Sequence, residues 1–172
     1  MMEDDDARAV FYFASSRSDG DTQRLARAVC DRIGAAAFVD LGGYRIGPYD
    51  YAHANADDDF LALAFRMTRA GAIVFASPVY WYAMSAQMKL FFDRLTDLTE
   101  TRKAWGKSLA GKSMFVIASG QSRAPDPSFE PPFSQTAAYF GMNYAGMLYG
   151  ANGAAGPARI AEFAARIEKA AR

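Results

Sequence analysis

The stretch Ala72-Ile73-Val74-Phe75-Ala76-Ser77-Pro78-Val79-Tyr80-Trp81-Tyr82-Ala83-Met84 decides how the chain is read. Its first five residues are apolar without alternation, the pattern of a strand covered on both faces. Pro78 cannot donate to a ladder, so the strand is predicted to stop at Ser77-Pro78. Similar apolar runs recur on either side: Ala9 to Ala14, Ala36 to Leu41, Met114 to Ala118 and about Tyr144 to Tyr149. Helical patterns separate them. One runs from Thr22 to Ile33, with Leu25, Ala26, Val29 and Cys30 on one face and Gly34 as an expected left-handed cap. A second opens on Asp57-Asp58-Asp59 and closes on Arg66 and Arg69, charges that suit the helix dipole. A third starts at Ser85 as N-cap, a fourth carries Phe133, Ala137 and Phe140 up to Gly141, and a fifth begins at Pro157. Five strands in strict alternation with five helices predict a doubly wound α/β fold, a parallel sheet joined by right-handed crossovers.

Length and composition agree with this. The 172 residues fit one domain, and 1–172 is read as such, with residues 1–7 an acidic tail. Lys+Arg and Asp+Glu number 19 each, a balance that argues against a duplex nucleic-acid binder and against a highly acidic electron carrier. One cysteine excludes an internal disulfide and an iron–sulfur cluster, and a single histidine supplies a metal site poorly. No metal and no membrane partner are expected: the N-terminus is acidic where a secretory signal is basic, and no apolar stretch is long enough to span a bilayer. The expected location is the cytoplasm.

In sheets of this kind ligands bind beyond the carboxyl ends of the strands, at the switch point of strand order. Three loops therefore matter. The first, Ser15-Ser16-Arg17-Ser18-Asp19-Gly20-Asp21-Thr22, feeds a helix N-terminus. Its free amides, the hydroxyls of Ser15 and Thr22 and the Arg17 guanidinium suit an anion. Helix caps use the same residue types, so the loop alone fits a solvated turn as well. The second, Pro78 to Met84, holds three adjacent aromatics, Tyr80, Trp81 and Tyr82, which cannot all face the core. They suit either a planar aromatic ligand or a subunit interface. The third begins Ser119-Gly120-Gln121-Ser122 and continues as a flap through Phe129. Gly120 lets backbone approach a ligand. A phosphate at one end and a planar ring at the other describe flavin mononucleotide (FMN).

Gly106-Lys107-Ser108-Leu109-Ala110-Gly111-Lys112-Ser113 matches the P-loop pattern, but a helix precedes it and a strand follows, the reverse of the order that binds phosphate. Lys112 is expected in a turn leading into that strand. No nucleophile elbow is present, and His53 reads as a surface loop residue. Cys30 reads as an inert buried thiol, Lys89 and Asp93 as an exposed helical pair, and Arg94 as part of a solvated helix face. The carboxylates of Asp57 to Asp59 are assigned to the helix start.

The run Ser77 to Lys89, continuing to Phe92-Asp93-Arg94, resembles the [ST]-P-V-Y-W-x-x-M-S-x-x-x-K…D-R segment of a known family. That family is the flavodoxin-like NADPH-dependent FMN reductases and NAD(P)H:quinone oxidoreductases. The first loop is similar to its S-x-R-x-x-G-N-T phosphate loop, with Asp21 in place of Asn. The resemblance implies strand order 2-1-3-4-5 and FMN as cofactor, with NAD(P)H as co-substrate and a quinone, flavin or similar small molecule as acceptor. The phosphate would rest on Ser15, Arg17 and Thr22. The ring would lie against Pro78, Val79, Tyr80, Trp81 and Tyr82, with Ser119 and Gly120 on its far side. A homodimer or homotetramer is also implied. A carboxylate at Asp21 repels phosphate unless it turns to Arg17 or Arg24. An electron-transfer flavodoxin and a cofactor-free interaction module of the same fold are the alternatives.

Overall fold

The computed structural model describes residues 7–172; most of the expected acidic tail, residues 1–6, lies outside the described residues. The chain alternates β1 (Ala9–Phe13), α1 (Asp21–Cys30), β2 (Ala36–Asp40), α2 (Phe60–Arg69), β3 (Ala72–Pro78), α3 (Ala86–Arg94), α4 (Asp97–Glu100), α5 (Lys103–Ser108), β4 (Ser113–Gly120), α6 (Pro131–Tyr139), β5 (Asn143–Ala151) and α7 (Pro157–Ala170). All neighbouring strands pair in parallel, in the order β2-β1-β3-β4-β5. This is the flavodoxin-like arrangement expected.

The alternating side chains of the strands build two cores. Val10, Tyr12, Ile73, Phe75, Met114 and Val116 face one side, under Leu63, Met67, Met88, Phe91 and Phe133. Phe11, Phe13, Val74, Phe115 and Ile117 face the other, under Leu25, Val29, Phe163 and Ile167. α1 and α7 therefore cover one face, and the remaining helices cover the other. β1 and β3 are buried along their whole length, which accounts for their unbroken apolar runs. A register shift against Met114 and Val116 puts one extra residue into β5, where Gly146 adopts φ +98°.

Four sequence-based expectations are corrected. β3 continues through Pro78 rather than stopping before it. β1 last pairs with β3 at Phe13 and Ala76, so Pro78 pairs with β4 alone and its missing N–H breaks no ladder. Gly34 is not a left-handed cap; α1 ends at Asp31 in right-handed geometry, and tight turns at Arg32 and Ile33 carry the chain away. α2 starts at Phe60, three residues beyond Asp57. Two short helices, α4 and α5, interrupt the strict alternation. The P-loop-like stretch does run from helix α5 through a turn at Gly111 (φ +81°) into β4, and Lys112 Nζ donates to Ala70 O at 2.6 Å. Among the described residues, no helix is long and apolar enough to cross a membrane.

Candidate functional site

The carboxyl ends of β1, β3 and β4 open into one cavity of about 860 Å³. Ser15, Arg17, Asp21 and Thr22 line one end, Pro78, Val79, Tyr80, Trp81 and Tyr82 a second side, and Ser119 and Gly120 a third. All eleven candidate residues thus meet around one space.

Buried hydroxyls weld the loops together. Ser85 Oγ donates to Ala14 O at 2.9 Å and accepts from Met88 N, capping α3 as expected while tying it to the end of β1. Ser77 Oγ accepts from Ser85 N at 2.8 Å. Thr22 Oγ1 and Ser119 Oγ lie 2.6 Å apart, linking the first loop to the third, and Val79 N donates to Ser119 O at 2.8 Å, linking the second to the third. Each of these side chains is polar and buried, so each bond satisfies a group whose desolvation would otherwise cost stability.

The aromatic loop is a two-residue turn. Tyr80 and Ala83 exchange both backbone hydrogen bonds, at 2.9 and 3.0 Å, and the central residues Trp81 and Tyr82 have φ of +49° and +67°. Positive φ at both central positions is the geometry that Asn-Gly ordinarily supplies. Bulky side chains there are strained, and such strain clusters at functional sites. The turn holds Trp81 91% and Tyr82 63% exposed, on the rim of the cavity.

At the anion end, the first-turn amides of α1 have no partners within the helix and its dipole favours negative charge. A Cβ at Gly20 would stand 3.1 Å from Arg17 Nε and press the guanidinium aside. Arg17 is exposed and lies 3.8 Å from Asp19. Asp21 is turned away to Arg24, which also donates to Asp19 O. Tyr80 Oη reaches Ser16 Oγ at 2.7 Å and Ser15 Oγ at 3.2 Å. These hydroxyls, Ser15 first, hold the phenol below its ordinary acidity constant.

The third loop also lines the cavity at Gln121 and Ser122, and three lining residues were not anticipated: Tyr149, Asn152 and Gly153. Tyr149 Oη donates to Ser122 O at 2.9 Å and so moors the flap. Gly153 adopts φ +77° against Asp21, leaving no room for a Cβ. The Asn152-Gly153 pair after β5 was the available signal, a turn dipeptide at a carboxyl end of the sheet. Asp126 lies in the flap; bonds from Ser128 N and Oγ hold its carboxyl below the usual range.

The flap lines the cavity at Ala124, Pro125, Asp126 and Pro127, while Phe129 itself is fully buried against Phe133. Three other assignments made from sequence are overturned. Arg94 is not solvated: at 2% exposure it pairs with Asp58 Oδ2 at 2.5 Å and Asp97 Oδ2 at 2.8 Å, and donates to Gly47 O and Asn55 O. Asp58 in turn accepts from Gly47 N and Phe60 N, so these carboxylates strap the 44–59 connection rather than merely opening a helix. His53 is half-buried at φ +54°, with Nδ1 3.3 Å from Asp97 Oδ1. Cys30 is buried as expected, and the Lys89–Asp93 pair is exposed.

Residues 8–155 match the family described as NADPH-dependent FMN reductase. Over 145 residues the chain is 27% identical to YwqN of Bacillus subtilis (strain 168), itself assigned only by name to the NAD(P)H-dependent FMN-containing oxidoreductases; the match covers 78% of this chain and 80% of that protein. Among solved structures, the Trp repressor binding protein from Bacillus subtilis superposes with a TM-score of 0.65 at 24% identity, covering 95% of this chain and 94% of that one. An FMN-dependent NADH-azoreductase from Bacillus anthracis, solved in complex with FMN, superposes with a TM-score of 0.64 at 10% identity, covering 95% and 97% of the two chains. The two superpositions bear on the fold.

Proposed function

Since the chain belongs to the NADPH-dependent FMN reductase family, we propose that it is an FMN-dependent oxidoreductase. It would pass two electrons from NAD(P)H to a quinone, a free flavin or a similar planar acceptor. The observation that carries this reading is the meeting of an anion end and an aromatic rim in one cavity. The residues fit FMN. Hydroxyls of Ser15 and Thr22, helix amides and the exposed Arg17 guanidinium supply donors for a phosphate. Asp21, the residue that spoke for a cofactor-free module, is neutralised by Arg24. The exposed faces of Trp81 and Tyr82 suit a planar ring, with Pro78, Val79, Ser119 and Gly120 bounding the slot.

Bound FMN would supply the hydride chemistry, taking two electrons and a proton from the nicotinamide and yielding them, with one solvent proton, to the acceptor. The chain's own residues bind, orient and exclude water. Arg17 and the α1 amides would fix the phosphate. The hydroxyl ties between the loops keep the slot walls in register, so little ordering remains when ligands bind. Tyr149 holds the flap at Ser122, where it can cover the slot. Asp126 is held ionised by its own loop, so it is not poised to donate a proton near neutral pH. No lining side chain is assigned as a general acid or base.

A homodimer or homotetramer is part of the same reading, with the exposed Trp81–Tyr82 turn at or beside a subunit boundary. Sedimentation at several concentrations tests it, and a monomer throughout would reject it. For the activity, purified protein is titrated with FMN and assayed for NADPH and NADH oxidation with a quinone and with free FMN. Binding at micromolar FMN with acceptor-dependent turnover is expected; no flavin binding would overturn the proposal.

A further inference from the structure

Tyr144 and Tyr149 are five residues apart on β5, so regular alternation would send them to opposite faces of the sheet. They share a face. Tyr144 pairs with Met114, Met147 with Val116 and Tyr149 with Ala118, because the extra residue at the Gly146 bulge resets the alternation between them. These three β5 side chains therefore lie against the core on the α6 side. From that face the two phenols reach the two ends of the flap. Tyr149 Oη donates to Ser122 O at 2.9 Å, just past β4, and Tyr144 Oη donates to Glu130 Oε1 at 2.6 Å, on the residue before α6. Gly120 belongs to the same device: a Cβ there would stand 2.8 Å from Tyr149 Oη and push the hydroxyl off Ser122. Burial holds both phenols above their ordinary acidity constant, with the Glu130 bond adding to the shift at Tyr144, so both remain donors.

Between these posts, Ala124, Pro125, Asp126 and Pro127 line the cavity that Trp81 and Tyr82 also line. The two prolines fix φ, Phe129 N donates to Asp126 O at 3.0 Å and the Phe129 ring is buried, so the span has little freedom of its own. We propose that Tyr144 and Tyr149 are positioning residues that hold the flap as a fixed wall of the slot. The wall restricts the electron acceptor to flat ring systems and turns away the same ring with bulky groups out of its plane. This selection rests on the proposed FMN reading; the mooring does not. A loose wall yields to a bulky acceptor at little cost. A wall held at both ends must break a hydrogen bond to move, and that cost falls on the bulky acceptor alone.

Tyr144→Phe and Tyr149→Phe each keep the ring and lose the bond. The first readout uses the chain without flavin: limited trypsin digestion at Arg123, the one Lys or Arg between Ser119 and Pro132, with the cut identified by mass. Cleavage there tracks the population of detached flap. Tyr149→Phe is expected to raise the rate about fivefold, the worth of one neutral hydrogen bond, and Tyr144→Phe about tenfold, the worth of one to a carboxylate. Tyr12→Phe, which loses a buried phenol bond to Leu63 O on α2, should leave the rate unchanged. The second readout is turnover with para-benzoquinone and with its di-tert-butyl derivative. Both mooring variants should raise kcat/KM for the bulky quinone relative to the plain one about fivefold, chiefly through KM. Intrinsic reactivities cancel when that ratio is compared with the wild type. Unchanged cleavage at Arg123 overturns the proposal whether or not flavin binds. Faster cleavage with an unchanged quinone ratio overturns the selection of acceptors. Faster cleavage in a chain that binds no flavin upholds the mooring and overturns the FMN reading alone.

Discussion

Thr22 Oγ1 and Ser119 Oγ stand 2.6 Å apart across a junction of chain segments 97 residues apart in sequence. Both side chains are buried at the lip of the cavity, so each hydroxyl is the other's means of avoiding an unmet polar group. Thr22→Val keeps the shape and orphans Ser119. It should cost about 1–3 kcal/mol in urea unfolding. Adding Ser119→Ala should recover part of that loss, because the orphaned hydroxyl is then gone. A double-mutant cycle with no coupling would show that the bond does not join the two loops.

The Trp81–Tyr82 turn sets stability against function. Replacing the pair by Asn-Gly, Trp81→Asn with Tyr82→Gly, supplies residues that tolerate positive φ. Left-handed backbone at ordinary residues costs on the order of 1–3 kcal/mol each, so the double variant should gain about 1 kcal/mol or more in thermal or urea unfolding. FMN affinity and NAD(P)H turnover should fall sharply in the same protein. If the variant were no more stable, or fully active, the strain would have no functional purpose.

Arg94 is the cation at the centre of a buried cluster. Arg94→Met leaves the carboxylates of Asp58 and Asp97 without their counter-charge. The expected loss is about 3–5 kcal/mol by denaturant unfolding. Arg94→Lys should rescue little of it, because Nε, Nη1 and Nη2 donate in three directions that one ammonium cannot reproduce. A loss below about 1 kcal/mol would show the cluster to be solvated and contradict its burial.

Burial pushes the Cys30 thiol up from the ordinary 9.0 to about 11, with Asp31 adding to the shift. The folded value lies above the unfolded one, so the neutral thiol favours the native state below the unfolded value. That contribution fades as pH rises through about 11. Native protein at pH 8 should react slowly with a disulfide reagent and fully once unfolded. Cys30→Ala should show a shallower loss of stability between pH 9 and 11 than the wild type. Rapid native labelling at pH 8 would refute the assignment.

Much of this was legible from local pattern. The apolar runs at Ala9, Ala72 and Met114 mark strands because a parallel sheet is covered on both faces, and the loops after them become the site because strand ends in such sheets converge. Arg94 looked solvated because its helix is amphipathic and its partner Asp58 is 36 residues away. Phe129 looked like a flap residue because it sits among prolines, yet it is anchored under α6. α4 and α5, at four and six residues, are too short to show a helical period.

By itself, the amino-acid sequence determined the parallel sheet, the order of its elements and the two chemistries of the site, an anion loop and an aromatic loop. These follow from periodicity and residue type, which act over a few neighbours. Only the tertiary structure decided that Tyr80 turns its hydroxyl to Ser15 and Ser16, that Asp21 is silenced by Arg24 beside Gly153, and that Tyr149 moors the flap. Hydrogen bonds and ion pairs select partners by position in space, and those positions exist only once the two cores have packed.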